Sequence, residues 1–498
     1  MDWPLAARGN IGHTVSIMSG AIPLTLVVCE FALKVVLAGV IVVRSRGTPA
    51  VRLAWLVVVF AVPVVGVGVA FLLVGEVRLG RRRIERYRRI SERIGAQAAV
   101  GAPRAQPLGE LVPGDYRQIA YLAETVGGNR PWGGHRLDLF GETDRFIQSL
   151  VDDIDRAQLH CHLEFYIFLA DPSGLRVAQA LMGAAERGVA CRLLVDAVGS
   201  KVFLRCDLRR KLADRGVRVV GALAANVLRM ALARVDLRNH RKLAVIDGRI
   251  GYCGSQNIAD AQFAIKPKYA PWVDAMVRLE GPAARDLQVI FVEDWYLDTD
   301  ESIDDVLTIV PPAVADGAAV QIMGTGPDAY NEALRQLMEV SFHAAREELI
   351  ITTPYFVPDE ATAAALYTTA RRGVESTLVV PARNDSPLVA AASRSYYEKL
   401  LDAGVAIHEY RHGLLHAKTV TLDRRLAVVT TANLDRRSFE LNFEVSMVVY
   451  DTDFASQLRL LQKSYLDGST PVDPAAWRRR GWPRKLLQNT AGMLGPLL

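Results

Sequence analysis

The sequence predicts an α/β protein in which an apolar two-helix hairpin precedes two copies of one α/β sandwich domain. Three observations carry this reading. Apolar residues crowd into two stretches near the start, 22–43 and 53–74. The rest of the chain alternates helix-patterned runs with short runs rich in Val and Leu, the pattern of strands covered by helices. One polar signature occurs twice, its members 176 positions apart.

The hairpin comes first. Ile22 to Val43 is a 22-residue stretch with only Glu30 and Lys34 as charges, and Leu53 to Val74 is another 22 with none. Each makes about 33 Å of helix, enough for a hydrocarbon core of about 30 Å. Pro63 and Gly66 are tolerable in a membrane helix. The first stretch is too long for a cleaved signal peptide, and a second follows at once. Glu30 and Lys34 share a helix face, and they read either as an internal ion pair or as a polar site within the membrane. Arg78, Arg81, Arg82, Arg83, Arg86, Arg88 and Arg89 follow the second stretch, whereas the connector holds Arg44, Arg46 and Arg52. The positive-inside rule then puts both ends, and everything after the hairpin, in the cytoplasm.

Composition agrees. At 498 residues the chain has room for about three units of roughly 150 residues. Half its residues are hydrophobic, high for a chain with 23% charge, and the net charge of +5 is modest. Cys29, Cys161, Cys191, Cys206 and Cys253 are odd in number and form no C-x-x-C pair. That excludes a zinc ribbon and a disulfide framework, and predicts free thiols in a reducing compartment.

The duplication sets the domains. "EFYIF" (164–168), "RGVACRLLVDA" (187–197) and "DRGVRV" (214–219) in one half match "PYFVP" (354–358), "RGVESTLVVPA" (372–382) and "DAGVAI" (402–407) in the other. The expected boundaries are 1–94 for the hairpin and its basic flank, 95–113 for a linker rich in Ala, Gly and Pro, and 114–300 for the first domain. A second linker at 301–318, a second domain at 319–470 and a basic, aromatic tail at 471–498 complete the chain.

Each half ends in H-x-K-x4-D followed by a four-residue segment closing on Asn. The first set is His240, Lys242, Asp247, Ser255 and Asn257; the second is His416, Lys418, Asp423, Thr431 and Asn433. Residues two apart on a strand share a face, so each motif presents an imidazole beside an ammonium. Asp247-Gly248 signals a tight turn, which brings the Ser/Thr and Asn back beside them. Such a set suits a phosphodiester. Lysine and asparagine hold the non-bridging oxygens, one imidazole attacks phosphorus, and the other moves the proton of the alcohol. One site then needs both halves. No cluster with metal-ligand spacing occurs, so no metal and no cofactor is expected. Asp247 and Asp423 belong to the motif as candidate catalytic residues, although seven residues from the histidine they read better as turn or ion-pair anchors. Asp274 and Glu444 each begin a strand-like run after the Asn, and either can fix the tautomer of a catalytic histidine.

These residues resemble the phospholipase D superfamily, whose mark is the paired H-x-K-x4-D. Together with the hairpin, "RNHRKLAVIDGRIGYCGSQN" and "NLDRRSFELNFE", the chain is similar over nearly its whole length to the bacterial cardiolipin synthases. The resemblance implies two cytoplasmic phospholipase D-like domains behind a multi-pass anchor in the bacterial inner membrane. The implied reaction joins two phosphatidylglycerol molecules, releases glycerol and passes through a phosphohistidine. It places His240 and His416 as nucleophile and acid/base pair, with Lys242, Lys418, Ser255, Asn257, Thr431 and Asn433 on the phosphate. Phosphatidylglycerol and anionic membrane lipids are then the partners, not nucleic acid, and the oligomeric state stays open. One departure stands out: Thr430-Thr431 replaces the usual Gly-Ser or Gly-Thr, which is expected to reshape the second half-site.

A phospholipase D-type hydrolase and a phosphatidylserine synthase remain as rivals, since the same residues serve water or another alcohol. A non-catalytic membrane scaffold fits poorly with two intact motifs. Two further segments suggest membrane contact. The tail mixes Trp477 and Trp482 with Arg478, Arg479, Arg480, Arg484 and Lys485, a combination suited to the interface or to a plain basic end. The first half also carries twelve extra residues before its histidine, and 219–235 is largely apolar, with Arg229 and Arg234 as its charges.

Overall fold

The computed structural model describes residues 24–43, 53, 56–57, 59–60, 81–99, 106–223, 237–263, 265–327, 332–493 and 495. The chain divides into two compact units, Met1–Glu76 and Val77–Leu498.

In the first unit a helix runs from Leu24 to Val43, and Lys34 Nζ meets Glu30 Oε1 at 2.8 Å. Val28, Phe31, Val36 and Val43 are exposed. The second expected span lies mostly outside the described residues. Among the described residues no helix is long and apolar enough to cross a membrane. The expected transmembrane hairpin therefore lies in part outside the described residues.

The second unit begins with a helix, Arg81–Ala99, that cuts across the boundary expected at 94. Tyr87, Ile90 and Ile94 recur at helical spacing and are buried in a core shared with Phe291, Trp295 and Phe443. Arg86 pairs with Asp300 and Arg93 with Asp304. At least two of the helix's arginines thus belong to the globular body.

The first half then supplies β1 (Trp132–Phe140), β2 (His160–Phe165), β3 (Ala190–Asp196), β4 (Arg218–Ala222), β5 (Arg238–Asn239), β6 (Lys242–Ile246), β7 (Ile250–Gly254), β8 (Trp272–Val273) and β9 (Met276–Glu280). The second supplies β10 (Ala318–Thr325), β11 (Glu348–Thr352), β12 (Phe356–Val357), β13 (Glu375–Pro381), β14 (Ala406–Tyr410), β15 (Leu414–Leu415), β16 (Thr419–Leu422), β17 (Leu426–Thr430), β18 (Leu434–Asp435), β19 (Asn442–Tyr450) and β20 (Ser469–Pro471). β2, β6, β11, β16, β17 and β19 are buried at every position, as Val/Leu-rich runs between covering layers must be.

The duplication shows in the pairing. The first half runs β4-β3-β2-β6-β7-β9-β1 and the second β14-β13-β11-β16-β17-β19-β10, strand for strand. β1 pairs antiparallel with β10, so the two halves share one 16-stranded sheet. Both inner edges are thereby closed, which removes two unpaired strands. The core between the halves draws Leu243, Val277 and Leu287 from one and Val429, Met447 and Phe454 from the other. The stretch expected as the 301–318 linker holds a 3-10 helix, Asp304–Thr308, with Ile303 and Leu307 buried. Gly188 and Gly373, the glycines of the two R-G-V repeats, both have φ +90°, a conformation that glycine adopts without strain. The insertion before His240 lies outside the described residues at 224–236.

Candidate active site

β6 and β7 in the first half, and β16 and β17 in the second, form the expected strand–turn–strand units. Asp247 and Gly248 have φ +52° and +63°, and Asp423 and Arg424 have +51° and +58°. Both turns therefore have the two positive-φ residues of a type I′ turn. Asp247 accepts the backbone N–H groups of Gln158, Leu159 and His160 at 2.7–2.9 Å. Asp423 accepts those of Arg346, Glu347 and Glu348, and the Tyr116 hydroxyl at 2.9 Å. These carboxylates tie each hairpin to the strand beside it and are occupied by that task. Their bonds are those of turn anchors.

The two histidines are held across the halves. β5, just before His240, pairs with the start of β19 in the second half. β15, just before His416, pairs with β8 in the first half. Each histidine therefore meets the acid of the other half. His240 Nδ1 lies 3.0 and 2.9 Å from the two carboxylate oxygens of Glu444. His416 Nδ1 lies 2.7 Å from Asp274 Oδ1. A carboxylate only accepts, so Nδ1 carries the hydrogen and each Nε2 presents its lone pair. Tyr166 packs on the His240 ring and Trp272 on the His416 ring, at 4.9 and 4.6 Å between centroids.

The charges act on one another as a single site. Burial drives both imidazoles down to about 4, with Lys242 and Lys418 adding to it against the pull of Glu444 and Asp274. Burial also lowers Lys242 to about 8 and Lys418 to about 7, offset in part by the two acids. For Asp274 and Glu444 burial pushes upward, but the facing histidine and lysine outweigh it and hold both near 2. The resting pairs are thus carboxylate with neutral imidazole. Lys242 Nζ donates to the His240 carbonyl at 2.6 Å and Lys418 Nζ to that of His416 at 2.5 Å, which leaves each ammonium further protons for a ligand.

Ser255 and Thr431, expected on the phosphate, are placed otherwise. Ser255 Oγ donates to Asp274 at 2.5 Å and Thr431 Oγ1 to Glu444 at 2.6 Å. A hydroxyl has one proton to give, and here it steadies the acid that steadies the histidine. Asn257 Oδ1 accepts the N–H of Ile167 at 3.0 Å, an arrangement that aims its amide. Asn433 Oδ1 is buried without a hydrogen-bond partner in the structure.

The Thr430 departure has a steric answer. A Cβ on Gly254 would meet the Ala275 carbonyl at 2.4 Å and Met276 Cα at 2.8 Å. Gly254 stands opposite Met276, whereas Thr430 stands opposite Ser446, and their hydroxyls lie 2.8 Å apart. The second half thus seats a threonine, hydrogen-bonded to the facing strand, where the first half leaves no room for a Cβ.

Sequence reasoning missed what lies beneath His240. Arg241, the middle residue of H-x-K, is fully buried. It pairs with Asp294, donates from Nε to the Glu444 carbonyl at 3.1 Å, and from Nη2 to the Thr325 carbonyl at 3.2 Å. Asn239 donates to Glu164 and, at 3.0 Å, to Asp294. Burial, then Asp294, pushes the Glu164 carboxyl well above its usual range. The only sequence sign was the odd pair of polar residues flanking His240, where the second half has Leu415 and Ala417. Among the described residues no group of three or more His, Cys, Asp or Glu is placed to hold a metal ion.

The family described as "Cardiolipin synthase, PLD-like domain" matches residues 150–295 and 339–463, more than half of the chain. The chain is 36% identical over 481 residues to "Cardiolipin synthase A" of Yersinia pseudotuberculosis serotype O:1b (strain IP 31758), covering 94% of this chain and 97% of that one. The same figures hold for the protein of that name from Yersinia pestis bv. Antiqua (strain Angola). Among solved structures, phosphatidylserine synthase of Haemophilus influenzae Rd KW20 superposes with a TM-score of 0.59 at 16% identity, over 76% of this chain and 100% of that one; this likeness is one of fold.

Proposed function

Because the chain belongs to the cardiolipin synthase family of the phospholipase D superfamily, we propose that its two half-sites act as one phosphatidyl-transfer centre. The chain is a phosphatidyltransferase, a cardiolipin synthase that joins two phosphatidylglycerol molecules and releases glycerol. The observation that carries the reading of one two-histidine centre is the crossed pair of bonds, His240 to Glu444 and His416 to Asp274.

His240 Nε2 attacks the phosphorus of one phosphatidylglycerol, the P–N bond forms, and the P–O bond to glycerol breaks. His416, protonated once the phosphodiester anion has raised its basicity, gives its proton to the leaving glycerol oxygen. A second phosphatidylglycerol then enters, its hydroxyl loses a proton to His416, and its oxygen displaces His240 from phosphorus. Lys242, Lys418, Asn257 and Asn433 hold the non-bridging oxygens, where charge builds in each transition state. Glu444 and Asp274 keep both imidazoles in the Nδ1–H tautomer and balance the charge they acquire. His240 is chosen as nucleophile because its half keeps the regular Gly254-Ser255-Gln256-Asn257 segment.

The finer reading of location is a two-span anchor at 22–43 and 53–74 in the bacterial inner membrane, with the catalytic halves cytoplasmic. The arginines from 78 to 89 and the two apolar stretches support it. The reaction is tested with the purified full chain and phosphatidylglycerol vesicles. Cardiolipin with equimolar glycerol is the expected product; phosphatidic acid alone means that water is the acceptor and rejects the transferase.

A further inference from the structure

The helix Trp482–Met493 faces the wrong way for a surface helix. Such helices turn their apolar side inward. Here Ala491 is the buried residue, packed with Val357 and Ala392, and the helix lies on the helix Pro387–Ser395. Trp482, Leu486, Leu487 and Met493 point to solvent, with 74, 59, 66 and 81% of their surfaces exposed. At 100° per residue, 482, 486 and 493 fall within roughly 40° of one another, and they form a stripe.

Its support is firm. Arg480 is held by Glu398 at 2.9 Å and stacks on the Trp477 ring at 4.8 Å, and Trp477 packs on Tyr397. Of the two tail tryptophans, Trp477 is therefore part of the body, and Trp482 is the displayed one. Arg479, just ahead of the helix, is exposed, and Arg484 is exposed on another side of it. Leu388, on the supporting helix, is exposed as well.

The placement relates the stripe to the site. Val357, under Ala491, belongs to β12, which pairs with β18. β18 begins at Leu434, the residue after Asn433. We infer that the outward face of Trp482–Met493 docks on the surface of an anionic lipid bilayer, beside the second half-site. An exposed tryptophan, leucine and methionine with an exposed arginine just ahead of them fit the headgroup boundary: the apolar side chains enter the acyl edge and the Arg479 guanidinium meets lipid phosphates. Docking next to Asn433 lets a headgroup reach the histidines while its acyl chains stay in the bilayer. The choice of a lipid occupant rests on the lipid substrate proposed above.

Two readouts on the full chain test this. In a Cys29→Ser background, an environment-sensitive dye on Leu486→Cys is expected to shift to shorter wavelength on vesicles of phosphatidylglycerol mixed with phosphatidylcholine. The shift is expected to be smaller on phosphatidylcholine alone. The same dye on Gln148→Cys, an exposed position on another helix, is expected to stay unshifted. The variant Leu486→Glu/Met493→Glu is expected to lose about tenfold or more in turnover on the mixed vesicles. On short-chain phosphatidylglycerol dissolved as monomers it should stay within about twofold of the parent. An unshifted dye on vesicles, or equal loss on both substrates, overturns the proposal. A shift that grows with protein concentration without lipid places a second copy of the chain on the helix and overturns it too. Should the parent chain be inactive on both substrates, the proposed reaction falls, while a dye shift on vesicles still sustains the docking.

Discussion

Glu444 lies 204 residues after His240 and in the other half of the chain, yet its two carboxylate oxygens sit 3.0 and 2.9 Å from His240 Nδ1. The reciprocal bond joins His416 to Asp274 at 2.7 Å. Neither half has a complete histidine–acid pair of its own, so the two motifs work only as one folded unit.

Both histidines are therefore required together. His240→Ala and His416→Ala are each expected to lower transfer by on the order of 10³-fold or more, and the double variant no further than the worse single one. EDTA is expected to leave transfer intact. Product analysis on phosphatidylglycerol vesicles checks this, and substantial turnover by either single variant contradicts it.

The choice of His240 as nucleophile rests on the regular Gly254–Asn257 segment of its half and is tested directly. Quenching the reaction early and mapping the phosphatidyl-enzyme by mass spectrometry is expected to place the group on His240; label on His416 reverses the roles. Glu444→Gln is then expected to slow the appearance of this adduct by about 10²- to 10⁴-fold, through loss of tautomer and charge balance at the nucleophile.

Arg241 positions Glu444 rather than the substrate. Arg241→Met strands Asp294 as a buried unpaired charge and is expected to cost about 3–5 kcal/mol of stability. Adding Asp294→Asn removes that charge and is expected to restore the melting temperature. Turnover of the double variant is expected to stay about 10- to 100-fold low, because the Glu444 carbonyl has lost its grip. Full turnover with restored melting would show that Arg241 serves the fold alone.

The pH dependence separates charge from stability. Lys418 and Lys242, held near 7 and 8 by burial, lose their charge as pH rises through that range. kcat/KM on a soluble short-chain substrate is expected to fall there, since it reports the free enzyme. Stability moves the other way. Between about 7 and 10.4 the unfolded chain binds more protons at these lysines than the folded one, so they make stability rise with pH. Between about 4 and 6.5 the buried histidines also favour the deprotonated folded state, so they make stability fall as pH drops. An alkaline loss of kcat/KM that tracks a falling melting temperature contradicts the lysine assignment.

Much of this was legible without coordinates. The repeats R-G-V, H-x-K-x4-D and the closing Asn are local signals, each set by a strand period, a turn or a helix end. They yield the duplicated α/β fold, the two hairpins, both histidines and both lysines. Asp274 and Glu444 were legible as partners because each begins a strand-like run at a matching place. Ser255 and Thr431 were read as phosphate ligands, since nothing in a one-dimensional spacing shows that a hydroxyl points backward to an acid.

The sequence by itself determined the residue types of the site and the fold of each half, because these follow from short-range periodicity and from chemistry two to seventeen residues apart. Only the tertiary structure decided who pairs with whom. β5 joins β19 and β15 joins β8, so each acid crosses to the other histidine. β1 meets β10, so the expected two domains share one sheet. Arg241 reaches the carbonyls of Thr325 and Glu444 across that junction. These are contacts between segments some 80 to 200 residues apart, fixed by the register of long strands and by burial in a common core, and no local pattern records them.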